Sequence, residues 1–268
     1  MIKYCFVGPP KTGTTWFFEL LYSSDEISLP KKPIKEIEFF DNNFSNGFKW
    51  YIDQFNDYSK SKILVECAPT YWKSLEASER ISKLNPEVGI IIGLRHPLSL
   101  YKSYYMHCLR KSYISNDFSQ LDFFYRFYLK DVSYIHNISK WDTAFQNIVF
   151  YDFDLIKTDP KRLAMNIISE IGMEIKFDEK ILSNVVNKGT LPRFKIIEKI
   201  KTLIFFRLKD KKGFLNILIS CFRILKPFFY SRDKVEEFTI DPIINSLLID
   251  DVLVYEALLK RIKNNKTI

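Results

Sequence analysis

Cys5-Phe6-Val7-Gly8-Pro9-Pro10-Lys11-Thr12-Gly13-Thr14-Thr15-Trp16 is the stretch that decides how this chain is read. An apolar run, Tyr4 to Val7, enters a loop bracketed by Gly8 and Gly13, and the amphipathic segment Thr14 to Tyr22 follows. The order is strand, loop, helix N-terminus. Free backbone N–H groups and the helix dipole favour an anion at such a junction.

The loop departs from the nucleoside-triphosphate pattern G-x-x-x-x-G-K-[ST] at one position. Gly8 and Gly13 keep the spacing, but Thr14 follows Gly13 and the lysine has moved inside the loop, to Lys11. Phosphoryl transfer also needs a strand-end aspartate for Mg²⁺. Here Ile63-Leu64-Val65 runs into Glu66-Cys67-Ala68-Pro69, and Ile90 to Leu94 runs into Arg95-His96-Pro97. A group less charged than phosphoryl, such as sulfuryl, suits a lysine and backbone donors acting without a metal.

Pro10 to Trp16 resembles the 5′-phosphosulfate loop of the sulfotransferases that use 3′-phosphoadenosine 5′-phosphosulfate. Leu94-Arg95-His96-Pro97, with Ser103 and Tyr104 after it, resembles that family's R-x-P-x(5)-S-x-Y segment. The resemblance implies that Lys11, Thr12, Gly13, Thr14 and Thr15 hold the 5′-phosphosulfate, and that Arg95 and Ser103 hold the 3′-phosphate. It also implies that Trp16 stacks on adenine and that Lys188 and Gly189 close a loop over the 3′-phosphate. Lys35-Glu36-Ile37-Glu38-Phe39-Phe40 resembles the K-E-x-x-F-F segment of the heparan-sulfate-type carbohydrate sulfotransferases, in which the glutamate is the catalytic base. Carried over, Glu36 is the base, with Lys35 and Lys11 as the cations beside it.

Two positions depart from that group. Glu38 stands where it has histidine, and Cys67 stands where its E-K-x-P-x-Y segment has lysine. One acceptor-side cation is thus missing, so an acceptor with less negative charge than heparan sulfate, or one bound differently, is expected. The resemblance favours a glycan or glycolipid acceptor over nucleic acid. Peptide tyrosine and small phenols stay open. A nucleotide kinase and a binding module without catalysis are the rival readings.

Alternating apolar and amphipathic segments argue for α/β architecture. The expected fold is a P-loop-like three-layer domain, a central, mostly parallel sheet flanked by helices, plus a helical C-terminal region. Strands are expected near 4–8, 62–66, 88–94 and 147–151. Helices are expected near 14–23, 74–84, 97–111, 118–130, 133–145 and 160–171, with a last helical region from Asp241 to Arg261. The chain of 268 residues reads as a single domain, with residues 1–190 as the donor-binding and catalytic core and 191–268 as a helical C-terminal subregion. Tyr71 and Trp72 are candidates to line the cleft.

The net charge of +8 fits an anionic donor, but on charge alone it fits nucleic acid or a membrane surface equally well. Cys5, Cys67, Cys108 and Cys221 are scattered, which points away from a disulfide framework and a structural zinc. There is no signal peptide and no apolar run long enough to span a bilayer, so a cytoplasmic enzyme is expected, and the Lys-, Ile- and Asn-rich composition suggests a bacterial one. Residues 196–230 read as two basic, strongly apolar helices. They suit peripheral contact with a membrane interface, or a flap packed over the acceptor cleft.

Overall fold

The computed structural model describes residues 2–22, 24–32, 34–56, 62–111, 113–115, 117–170, 172 and 239–264, and otherwise only 182, 191–192 and 230–231. Lys188, Gly189, Cys221 and all but the last residue of 196–230 lie outside the described residues.

The elements run β1 (Ile2–Gly8), α1 (Thr14–Tyr22), β2 (Ile27–Ser28), α2 (Gly47–Asp53) and β3 (Ile63–Cys67), then a 3₁₀ turn (Pro69–Lys73). Next come α3 (Leu75–Leu84), β4 (Gly89–Leu94), α4 (Pro97–Arg110) and α5 (Gln120–Phe123), which passes through a π-helical turn (Phe124–Tyr128) into α6 (Leu129–Asp131). The remainder is α7 (Tyr134–Asp142), β5 (Ile148–Asp152), α8 (Leu155–Thr158), α9 (Pro160–Glu170), a small pair β6 (Leu191–Pro192) and β7 (Tyr230–Ser231), and finally α10 (Pro242–Leu247) and α11 (Ile249–Asn264).

β1 to β5 form one sheet in the order β2-β3-β1-β4-β5, and every pairing is parallel. β1 is therefore central, flanked by β3 and β4, and the loop that leaves its end opens at the C-terminal edge where such sheets bind ligands. Parallel strands covered on both faces need continuous apolar runs. Gly89 to Leu94 is buried throughout, and Ile2 to Gly8 is buried at every position except Lys3.

Two cores lie on opposite faces of the sheet. On one face, Trp16, Phe17, Phe18, Leu20 and Leu21 of α1 pack with Leu163, Ala164 and Ile167 of α9. On the other, α4, α7 and α11 pack with Tyr71, Trp72, Tyr101, Tyr134 and Trp141. The sheet edges expected from sequence are met within a residue or two. Among the described residues the additions are β2, β6, β7, α2 and α8, short elements whose patterns are too brief to show periodicity.

Local chemistry sets the helix ends. Asp159 caps α9, its Oδ1 accepting from Arg162 N at 3.1 Å, with Pro160 in the first helical position. Pro97 opens α4 behind His96, whose Nδ1 accepts from Leu98 N at 3.3 Å. Tyr71 and Trp72 do not line a cleft: both are fully buried, because the 3₁₀ turn folds them under the sheet edge. Trp72 Nε1 donates to Val132 O at 3.2 Å and Trp141 Nε1 to Trp72 O at 3.1 Å, so each ring keeps its polar atom satisfied. Among the described residues no helix is long and apolar enough to cross a membrane.

Candidate active site

The loop between β1 and α1 is tied from behind. Thr12 Oγ1 donates to Pro9 O at 2.6 Å, and Tyr151 Oη donates to Thr12 O at 2.8 Å. Arg95 Nη1 donates to Lys11 O at 2.9 Å. These bonds hold the loop carbonyls. Gly13 adopts φ +98°, and a Cβ there would stand 2.3 Å from Ile156 Cδ1, so both conformation and space require glycine. Lys11 has φ +75°, unusual for a side-chain-bearing residue and costly unless the surroundings enforce it. Trp16 N and Phe17 N donate to Gly13 O at 2.9 and 3.2 Å, which starts α1. The amides of Thr14 and Thr15 precede any intrahelical acceptor and belong to the free N-terminus of the helix.

Cations converge on this loop. Burial pushes the Lys11 ammonium down to about 8, helped by the positive charges of Arg110, Arg95, Lys35 and Lys111. Arg95 follows β4, and its guanidinium lies 4.4 Å from the centre of the Phe153 ring. Burial lowers its pKa too, and its Nε is buried without a partner among the described residues. Ser103, partly buried, lies on α4 two turns from its start. Arg110 and Lys111 stand at the far end of the same helix and act on both Lys11 and His107. His107 is held neutral, pushed down to about 3 by burial and then by Lys11, Arg110 and Lys111.

The second loop meets the first through one ammonium. Lys35 Nζ donates to Thr15 Oγ1 at 2.9 Å and to Thr14 Oγ1 at 3.4 Å, and it pairs with Glu36 Oε1 at 2.8 Å. Their side chains are 18% and 32% exposed, so this pair is a cleft feature rather than a solvated charge run. The loop then turns at Glu38, φ +53°, whose carbonyl accepts from Asn42 N and Asn43 N at 3.1 and 2.9 Å. Glu38 also accepts from Asn42 Nδ2 at 2.9 Å, and its pKa is raised, chiefly by burial and then by Asp41 and Glu36. Lys73 faces these acids from the 3₁₀ turn and pairs with Asp131 Oδ1 at 2.8 Å. The other oxygen of Asp131 accepts from Tyr104 Oη at 2.6 Å.

The structure thus brings Lys11, Thr14, Thr15, Lys35, Glu36 and Arg95 to one end of the sheet. Trp16 is placed differently from the expectation. It is 3% exposed and packs edge-on against Phe17 at 4.8 Å, so it presents no open face for an adenine. An aromatic in the first turn of a helix is drawn into the core when neighbouring positions are apolar. Cys67 is fully buried, its thiol pushed up to about 12 by burial. Sequence reading missed Phe153, Arg110 and Lys111. The first follows a strand end with no motif of its own, and the others close a helix where basic residues are common.

The Sulfotransferase domain family matches residues 3–203 of the chain. Bifunctional heparan sulfate N-deacetylase/N-sulfotransferase 4 of Mus musculus is 38% identical over 111 residues, which is 39% of this chain and 13% of that protein. Heparan sulfate glucosamine 3-O-sulfotransferase 5 of Homo sapiens is 31% identical over 109 residues, 40% of this chain and 31% of that protein. The chain therefore spans a minor part of the length of these curated relatives. Among solved structures, the sulfotransferase from Alicyclobacillus acidocaldarius aligns with a TM-score of 0.58 at 18% identity, covering 70% of this chain and 87% of that one, a likeness of fold.

Proposed function

The chain belongs to the sulfotransferase domain family, and from that premise we propose that it transfers a sulfuryl group from 3′-phosphoadenosine 5′-phosphosulfate to a hydroxyl of a glycan-containing acceptor. The observation that carries the reading is Lys35, whose Nζ is 2.9 Å from Thr15 Oγ1 in the first loop and 2.8 Å from Glu36 Oε1 in the second. One cation thus links a phosphate-type cradle to a carboxylate, the arrangement that in-line transfer with general-base help requires.

In this reading the Glu36 carboxylate takes the proton of the acceptor hydroxyl as its oxygen bonds to sulfur. The bond from sulfur to the 5′-phosphate oxygen breaks, and adenosine 3′,5′-bisphosphate leaves. Lys11 and Lys35 neutralise the charge that grows on the leaving oxygen, helped by the Thr14 and Thr15 amides. Arg95 and Ser103 hold the 3′-phosphate. The concentration of Lys11, Lys35, Arg95, Arg110 and Lys111 fits a highly anionic nucleotide, since burial and then the other four cations lower the affinity of Lys11 for its proton until an anion arrives. These cations supply the charge for a transfer without a metal, which predicts turnover unchanged by a chelator.

Glu38, Asp41 and buried Cys67 on the acceptor side favour an acceptor with fewer anionic groups than heparan sulfate. Cys5, Cys67 and Cys108 are buried thiols, the form kept in a reducing compartment, and this supports a cytoplasmic setting.

Titration calorimetry with adenosine 3′,5′-bisphosphate, with ATP as control, tests the donor assignment, and preference for ATP would overturn it. An acceptor screen comparing unsulfated with sulfated glycans then tests the acceptor. Glu36→Gln is expected to keep bisphosphate affinity and to lose on the order of 10²–10⁴-fold in turnover. Unchanged turnover would remove Glu36 from the mechanism.

A further inference from the structure

Glu66 is fully buried near the end of β3, and among the described residues no cation pairs with it. Strand alternation puts it on the same face as Leu64 and Ala68, toward the core that contains Tyr51 and Tyr71. Both of its oxygens are claimed by tyrosines. Tyr51 Oη donates to Oε2 at 2.7 Å, and Tyr71 Oη donates to Oε1 at 2.7 Å.

The two tyrosines then differ. Tyr71 Oη also accepts from the Phe40 backbone N at 3.1 Å, whereas among the described residues Tyr51 Oη shows no such link to a backbone amide. The Phe40 carbonyl is held from the other side by Arg80 Nη1 at 2.7 Å. The Phe40 ring packs edge-on against both tyrosines, 5.3 Å from Tyr51 and 5.8 Å from Tyr71. Phe40 ends the segment that begins with Lys35 and Glu36. A buried carboxylate without a cation is costly, so its retention here calls for a use.

We propose that Glu66 is a positioning residue: through Tyr71 Oη it fixes the Phe40 amide, and with it the loop that presents Glu36 to the donor cradle. The carboxylate holds the Tyr71 hydroxyl in the one orientation whose lone pair meets the Phe40 N–H. Both bonds are sheltered from water, where a hydrogen bond is electrostatically stronger than at the surface. Misplacement of a reacting group by about 1 Å can cost on the order of 10²-fold in rate, so the geometry of this relay reaches the chemistry without touching substrate.

The test compares two variants that each delete one oxygen and keep the ring, Tyr71→Phe and Tyr51→Phe. Each leaves one oxygen of Glu66 without its donor, so both are expected to lower the melting temperature by similar amounts. Tyr71→Phe alone is expected to speed hydrogen exchange at the Phe40 amide and to lower kcat by about tenfold or more, with the Kd for adenosine 3′,5′-bisphosphate unchanged. Tyr51→Phe should keep kcat within about twofold. Equal kcat losses in the two variants, or Phe40 exchange unaffected by Tyr71→Phe, would overturn the proposal. Should Tyr71→Phe fail to fold, Glu66→Gln keeps the volume while weakening the relay, and an unchanged kcat there counts equally against it.

The kinetic half rests on the reading of Glu36 as base, whereas the exchange half does not. Faster Phe40 exchange together with full turnover in Glu36→Gln would sink the base and leave the anchor standing.

Discussion

The donor loop and the Lys35–Phe40 loop are joined by the Lys35 ammonium, yet they are built by different means. The donor loop is shaped by contiguous sequence: two glycines, a strand end and a helix start, braced by Thr12 on Pro9 and Arg95 on Lys11. The Lys35–Phe40 loop has no regular structure among its own residues. It is held by side chains from distant positions, with Tyr71 on the Phe40 amide and Arg80 on the Phe40 carbonyl, and by one from just beyond the loop, Asn43 Nδ2 on Ile37 O at 2.8 Å. One wall is specified by backbone geometry and the other by a buried network. Changes to the first should therefore affect binding and rate with little effect on stability. Changes under the second should couple the two.

The largest expected effect lies in the donor wall. Lys11→Met is expected to lower turnover by about 10²–10³-fold, the range for removing one preorganised charge-stabilising donor. The melting temperature should not fall, because the ammonium sits among Arg95, Lys35, Arg110 and Lys111 and its removal relieves repulsion. A stability loss as large as that of a core truncation would break the contrast between the walls.

Beneath the acceptor wall the expected effect is on stability itself. Burial raises the Glu66 carboxyl from 4.5 to about 7, against the opposing hydrogen bonds of Tyr51 and Tyr71. Cys5, its register partner on β1, and the Asp41 and Glu38 carboxylates face it from neighbouring elements. Between those two pH values the folded protein holds a proton that the unfolded chain has released. The contribution is therefore full below about 4.5 and is lost as pH rises through about 7. Its size is on the order of 3 kcal/mol. Urea unfolding of the wild type and Glu66→Gln at pH 5 and pH 8 should show the wild type losing more stability over that interval. Parallel losses in the two proteins would remove Glu66 as the source.

This division also explains what could be read in advance. Gly8 to Thr15 and Arg95 could be singled out because each sits at a strand end with a local reason for its residue type, whereas Ser103, inside α4, was singled out only through its spacing from Arg95. The strands of the sheet core were legible because burial on both faces demands unbroken apolar runs such as Gly89 to Leu94. Glu66 read only as a strand-end acid, since its partners Tyr51 and Tyr71 reach it from α2 and the 3₁₀ turn. Trp16 read as a stacking residue because position in a motif does not reveal which way a ring turns, and the core on its side of the sheet took it. Phe153 carries no pattern. It matters because the chain returns after β5, bonding Phe153 N to Leu94 O at 2.8 Å and setting the ring under Arg95.

A milder probe of the donor wall is Arg95→Lys. Charge is kept, while the planar fork that bonds Lys11 O and lies over Phe153 is lost. Affinity for adenosine 3′,5′-bisphosphate is expected to fall about tenfold, and affinity for adenosine 5′-monophosphate to change little, as measured by calorimetry. Equal losses for both ligands would place Arg95 with the 5′ end and redraw the wall.

The smallest expected effect isolates the electrostatics of that wall from its shape. With its pKa lowered to about 8, Lys11 is partly deprotonated in the free protein at mildly alkaline pH. An anion bound against it favours the ammonium and raises that value, so binding must draw a proton from solution. The uptake should be about half a proton per bisphosphate near pH 8 and should vanish near pH 6.5, where Lys11 is already charged. The phosphate groups themselves titrate near pH 6, so they are almost fully ionised at pH 8, and at pH 6.5 the share of Lys11 is read as the difference between the wild type and Lys11→Met. Calorimetry at pH 8 in two buffers of different ionisation enthalpy reads the uptake directly, and Lys11→Met should abolish it. Uptake that persists in the variant would assign the proton to another group. Its absence in the wild type would mean that burial and the surrounding cations do not together weaken the hold of Lys11 on its proton, and the donor wall would then owe its anion affinity to backbone geometry and fully charged side chains.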